Sequence, residues 1–304
     1  MSHFPRARTL ACGTALACCV ALAPLTACND EVPVGPGTSG VDTGDPALAI
    51  GFYGLAAAPT GPVGRPCTRP EYRQFDFWIG NWDVDLFGGG GPSGSNIITR
   101  ELDGCLVEED YANGGYVGRS LNTYDAADGR WHQHWMANDG LPLIPEGGFN
   151  GESMVMQGVR PSPTGPVLDR IAWTALAPDR VRQFWDTSLD GGETFSISFD
   201  GDYRRDASVT QESQDPAVPT VGCQNQAIPG YFLFDFTLGE WTVAPEGAHR
   251  TVPALQSTIS HDLSDCLIEE RISGRAGYEA RVFNTMRRRT GEWLRTFIDN
   301  RGIR

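Results

Sequence analysis

The stretch FDFWIGNWDV, residues 75–84, returns in altered form as FDFTLGEWTV, residues 234–243. In each copy an aromatic phrase leads into Gly-x-Trp, Gly80-Asn81-Trp82 and Gly239-Glu240-Trp241, at the head of a short alternating segment. The repeat reaches further. ELDGCLVEE (101–109) aligns with DLSDCLIEE (262–270), and GRWHQHWMANDG (129–140) with GEWLRTFIDNRG (291–302). The offset drifts from 159 at Phe75 and Phe234, through 161 at Cys105 and Cys266, to 162 at Trp131 and Trp293. Tandem domains with small loop insertions produce such a drift.

Between these landmarks, alternating segments are broken by turn residues about every ten positions, a pattern of antiparallel strands. Strands are expected at 82–87, 95–102, 106–112, 116–124, 130–136, 153–159, 170–176, 181–187 and 194–203. Asp128-Gly129, Asn150-Gly151 and Asp190-Gly191-Gly192 supply hairpin chemistry. No long amphipathic helical period interrupts them, so the expected fold is all-β, an antiparallel up-and-down barrel over residues 67–209. The second copy, 217–304, stops where the first has reached about residue 142 and holds only about five strands. Half a barrel has raw edges. Either the sequence is a truncated reading of a longer gene, or the partial copy completes itself on another surface.

The formal net charge of -14, from 24 Lys and Arg against 38 Asp and Glu, argues against a polyphosphate partner such as nucleic acid. Residues 1–27 read as an export signal, with Arg6 and Arg8 ahead of a small, apolar run. LTAC at 25–28 resembles a bacterial lipobox, which implies acylation of Cys28 and a membrane anchor. Asn29 in place of an aspartate points to the outer membrane, facing the periplasm or the cell surface. Residues 28–66, rich in Gly, Pro, Ser, Thr and acid at their start, read as a tether, with a more apolar stretch at 47–60. Cys12, Cys18 and Cys19 leave with the signal. The four remaining cysteines allow three pairings. The repeat selects Cys67 with Cys105 and Cys223 with Cys266. No CxxC is present and no histidine pair recurs in both copies, so no metal site is expected.

Gly-x-Trp resembles the opening motif of lipocalin-like, or calycin, barrels. That resemblance implies Trp82 as a buried end plug crossed by an arginine from the last strand, Arg204 or Arg205. FDFWIGNWDV, the DGC strand, GRSLNTYD, GRWHQHW, RVRQFWDTSLDGGETF and FDGDYRR together resemble a bacterial family of uncharacterised lipocalin-like proteins of the DUF1579 type. The resemblance covers residues 71–206 and the partial repeat, departs at Thr237 where the first copy has Trp78, and brings a fold without an established activity.

On residues 130–136, alternation places Trp131, Gln133 and Trp135 on one face, with His132, His134 and Met136 opposite. The second copy keeps Trp293, Arg295 and Phe297 on the first face. Aromatic, polar, aromatic in both copies suits an interior wall, and Trp173 and Trp185 are expected to join it around a small, largely apolar ligand. The rivals are ordinary barrel filling, as in a cell-envelope module with a protein partner, and an enzyme using Glu109 and His132 as an acid–base pair. Haem on His132 or His134 is a minor alternative, since their counterparts are Leu294 and Thr296. No G-x-S-x-G or H-E-x-x-H is present, and the Gly run 88–95 lacks the lysine of a phosphate loop, so catalysis is not expected.

Overall fold

Alternation of small turns and β-branched or aromatic residues carries the chain through ten antiparallel strands that close on themselves: β1 (Gly80–Leu86), β2 (Gly94–Glu101), β3 (Leu106–Asn113), β4 (Tyr116–Asp125), β5 (Arg130–Ala137), β6 (Glu146–Phe149), β7 (Ser153–Ser162), β8 (Gly165–Ala177), β9 (Arg180–Ser188) and β10 (Ser196–Arg205). Each pairs with its sequence neighbour, and β10 returns to β1 with Trp82 opposite Arg205. Closure leaves no exposed edge. The computed structural model describes residues 66–89, 94–210, 223, 230–244 and 255–304, all within one compact unit spanning 45–304. The export signal, Cys28, the tether apart from Pro66, and residues 90–93 of the Gly run lie outside the described residues.

Five further strands, β11 (Gly239–Val243), β12 (Leu255–Asp262), β13 (Leu267–Ser273), β14 (Glu279–Arg287) and β15 (Glu292–Asp299), form an open sheet in sequence order. Their local geometry repeats that of the barrel. Gly239 pairs with Ile259 as Gly80 pairs with Ile98. The Trp82 indole N–H donates to the Trp78 carbonyl at 2.8 Å, and that of Trp241 to the Thr237 carbonyl at 2.6 Å. Just before the second cysteine of each copy the chain passes through left-handed backbone at non-glycine residues, Leu102 and Asp103 (φ 51° and 56°) and Leu263 and Ser264 (φ 51° and 53°). The disulfides are Cys67–Cys105 and Cys223–Cys266.

Sheet and barrel meet through the outer faces of β3 to β5 and β13 to β15, with equivalent residues on the two sides. Leu106, Leu121 and Met136 share one apolar cluster with Leu267, Phe283 and Ile298, their partners in the repeat. His134 and Thr296, also equivalent, meet each other, ring Nδ1 to hydroxyl at 2.8 Å. The ends of the interface are reciprocal too. A Cβ on Gly140 would lie 3.0 Å from both Cys223 Sγ and Tyr231 Oη, and one on Gly302 would lie 3.2 Å from both Cys67 Sγ and Tyr72 Oη. With φ near 79° at both positions, glycine is required twice over. The contact is therefore pseudo-two-fold, the arrangement of an isologous dimer within one chain.

Charge breaks the symmetry at its centre. Arg119 on β4 reaches Asp110 at 2.7 Å, Asp262 and Glu269 at 2.6 Å each, and also Glu108. Its repeat partner Arg281 stands 3.9 Å from Glu108. Four carboxylates hold the Arg119 guanidinium charged despite its burial.

Nine strands are expected from the sequence and ten are present. The extra one, β6, is Glu-Gly-Gly-Phe: two adjacent glycines erase the alternation by which a strand is recognised.

Candidate functional site

Strand alternation turns Glu109, Tyr111, Gln133, Trp135, Gln183 and Tyr203 toward a cavity of about 300 Å³ in the barrel. Tyr116, Leu143, Ile171, Trp185 and Phe199 complete most of its wall. Register places Trp185 directly between Ile171 on β8 and Phe199 on β10, which makes one apolar side. The Tyr111 and Trp135 rings lie 6.3 Å apart on the other.

The polar floor follows from cross-strand pairing. Glu109 on β3 faces Ser120 on β4, and Asn122 on β4 faces Gln133 on β5. The Ser120 hydroxyl donates to Glu109 Oε2 at 2.6 Å, and Asn96 Nδ2 donates to Glu109 Oε1 at 2.8 Å. Asn122 Nδ2 donates to Ser120 Oγ at 2.8 Å, and Gln133 Nε2 to Asn122 Oδ1 at 2.9 Å. Tyr203 donates its hydroxyl to Gln183 Oε1 at 2.5 Å. Glu109 is only 3% exposed, and burial pushes its carboxyl up to about 7 against the pull of Ser120 and Asn96. Burial likewise raises the Tyr203 and Tyr111 phenols.

Of the five residues expected to hold a ligand, Gln133, Trp135 and Trp185 line the cavity, whereas Trp131 and Trp173 do not. These two pack in a ring cluster around Phe75, whose centroid lies 5.6 Å from Trp131, 5.2 Å from Trp173 and 4.7 Å from Trp78. The opening FDFW phrase forms a 3-10 turn, residues Asp76–Trp78, whose flanking rings enter the barrel and fill the space those tryptophans would otherwise line. Arg205, not Arg204, lies over Trp82, its guanidinium carbon 4.3 Å from the ring centroid. Arg204 turns to Asp202 at 2.6 Å and Asp85 at 3.6 Å.

Glu109 and His132 do not share a site. Glu109 faces the cavity, while His132 faces outward on β5, 2.9 Å from Asp128 and 3.6 Å from Glu146. Burial, with Arg304 adding to it, lowers the His132 pKa despite these acids. Asp125, Asp128 and His132 each bring one ligand atom within 4.8 Å of the others, at a point where Asp125 also meets Arg304 at 3.7 Å. His134 offers no nitrogen to haem, since Thr296 and Thr285 occupy both at 2.8 and 2.9 Å. Among the described residues, no lysine, arginine or histidine lines the cavity.

Sequence reasoning missed Tyr111, Tyr116, Gln183, Phe199 and Tyr203. Tyr111 stands two residues beyond Glu109, so alternation carried its signal. Only the closed ring of strands shows that these faces converge. Among known families and curated proteins, none matches this chain.

Proposed function

We propose that the chain is an exported, lipid-anchored, lipocalin-like protein that holds a small, largely apolar ligand in its ten-stranded barrel, with the five-stranded sheet a partial second copy of that barrel. The cavity carries the reading: a scaffold with a packed core has no use for about 300 Å³ bounded by Trp135, Trp185 and Phe199, with its polar groups gathered at Glu109. The lipobox-like LTAC sequence supports an anchor at Cys28 and a periplasmic or surface location. Among the described residues no helix is long and apolar enough to cross a membrane, so a span within them contributes nothing to this reading. Native mass spectrometry of the whole chain from a bacterial periplasm tests the container, with Cys28→Ser to release it from lipid. An adduct lost on denaturation, with tryptophan quenching when it is returned, is expected. A chain that neither carries nor takes up any small molecule points instead to an envelope module with a protein partner.

A second reading rests on Glu109, whose carboxyl near 7 is suited to proton transfer at neutral pH. With His132 on the other face, that enzyme would use Glu109 with Tyr203 or Gln133. Turnover abolished in Glu109→Gln would mark it.

A further inference from the structure

The proposed container has an unusual floor. Glu109 accepts from Ser120 and Asn96, both neutral, and no described residue forms an ion pair with it. The wall's other carboxylate, Asp85, lies 3.6 Å from Arg204. A buried carboxylate without a cation is expensive, and such groups are ordinarily paired. Here the two hydrogen bonds leave acceptor capacity, since an ionised carboxylate offers about four lone-pair sites. Around it stand the rings of Tyr111, Tyr116, Trp135, Trp185 and Phe199, whose faces attract a desolvated cation. Carboxylate and aromatic wall therefore favour the same charge.

We infer that the cavity binds an organic monocation, an amine with an apolar or aromatic body, with its ammonium group on Glu109 and its body against Trp135, Trp185 and Phe199. This rests on the container reading and names its ligand class. A cavity of about 300 Å³ is at the small end of ligand pockets, a size that suits a molecule of arylalkylamine dimensions. An anionic ligand meets the Glu109 carboxylate and, among the described wall residues, no base. The outward-facing arginines of β8 to β10 offer it nothing inside, because Arg170, Arg180 and Arg182 are engaged with Asp186, Asp202 and Asp200.

The test uses three probes of nearly one shape, 2-phenylethylamine, 2-phenylethanol and 3-phenylpropionate, titrated into the full chain by calorimetry and tryptophan fluorescence. At pH 8 Glu109 is largely ionised, and the amine, like a lysine side chain near 10.4, is largely protonated. The expected ranking is amine over alcohol by about tenfold or more, equivalent to about 1.4 kcal/mol, with the carboxylate weakest. In Glu109→Gln the ratio of amine to alcohol affinity should fall to about one, the pairing having been removed. Alcohol or carboxylate binding as tightly as the amine in the wild-type chain overturns the ligand class and leaves the container standing. Failure of all three probes to bind overturns the ligand class, and the adduct measurement then decides the container by itself. The wild-type ranking depends on no variant, so poor folding of Glu109→Gln leaves it decisive.

Discussion

Trp82 is fully buried under Arg205, whereas Trp241, the same residue of the same phrase, is 47% exposed. Both follow a one-turn 3-10 helix, and both donate the indole N–H to the carbonyl four residues back. What the repeated phrase dictates is thus local: the turn, the register of the next strand and the indole's hydrogen bond. Burial is not local. Trp82 is covered because β10 returns to β1, while the five-stranded sheet has no described strand that returns to β11. Ring closure thereby separates a plug from an exposed indole. The sharpest way to break the comparison is truncation at both sites. Trp82→Ala should destabilise the barrel by about 3–5 kcal/mol, and Trp241→Ala by less than about 1 kcal/mol, as for surface changes, both measured by urea unfolding. Equal losses would mean that the second indole is covered in solution.

The same contrast recurs at the interface, where Arg119 gathers four carboxylates and Arg281 stands near one. Arg119→Met leaves the buried Glu108 and Glu269 with only Arg271, 2.7 Å from Glu269 and 3.7 Å from Glu108, and Arg281 near Glu108, and should cost about 3 kcal/mol, the lower end for a broken buried ion pair because these cations remain. Arg281→Met, which loses a 3.9 Å contact to Glu108, should cost clearly less than Arg119→Met. Near-equal costs would show that the acids redistribute to either arginine, and that the asymmetry is incidental.

These contrasts also show how far the chain could be read beforehand. Strands, disulfide pairing and the two faces of β5 were legible, because alternation and a repeated cysteine spacing are properties of neighbouring residues. The outward face of His134 and Met136 was legible as a face, but not as the interface. Its partners Phe283 and Ile298 lie some 150 residues on, and only the pseudo-two-fold axis brings them together. For the same reason Gln133 and Trp135 were readable as wall residues, whereas Tyr203 and Phe199, across the barrel, were not. Trp131 and Trp173 were misplaced because nothing local to them shows that Phe75 and Trp78 enter the interior from a turn.

His134 provides a smaller contrast with its equivalent, Thr296. Burial, with Arg287 adding to it, lowers the His134 pKa to about 3, so the folded chain holds the ring neutral between two threonine hydroxyls. A depressed pKa contributes stability in full above the unfolded value near 6.5 and loses it as pH falls toward 3. The expected loss is about 1.4 kcal/mol for each pH unit in that window. Placing threonine on both sides of the axis, His134→Thr, should flatten that limb of a urea stability profile taken between pH 7.5 and 5. An unchanged slope would assign the acid sensitivity to other groups.

Glu109 and Glu270 complete the comparison, inside a closed barrel and on an open sheet. Glu270 has Arg295 at 3.1 Å and the Ser257 hydroxyl at 2.7 Å, a partly exposed ion pair whose removal in Glu270→Gln should cost under about 1 kcal/mol. Glu109 keeps the contact from the equivalent position, now Asn96 Nδ2 at 2.8 Å, adds the Ser120 hydroxyl, and has neutral Gln133 where Glu270 has Arg295. Its raised pKa gives the opposite sign from His134. The protonated form favours the fold below about 4.5, and that advantage disappears as pH rises through 7, at about 1.4 kcal/mol per pH unit over this narrower window. Glu109→Gln, neutral throughout, should therefore gain on the wild-type chain between pH 4.5 and 7 and hold the gain at pH 8. Saturating 2-phenylethylamine should erase the gain at pH 8 by supplying the missing cation to the wild type alone. A gain already complete at pH 4.5 would mean that glutamine packs better there, and that the charge of Glu109 costs the empty barrel nothing.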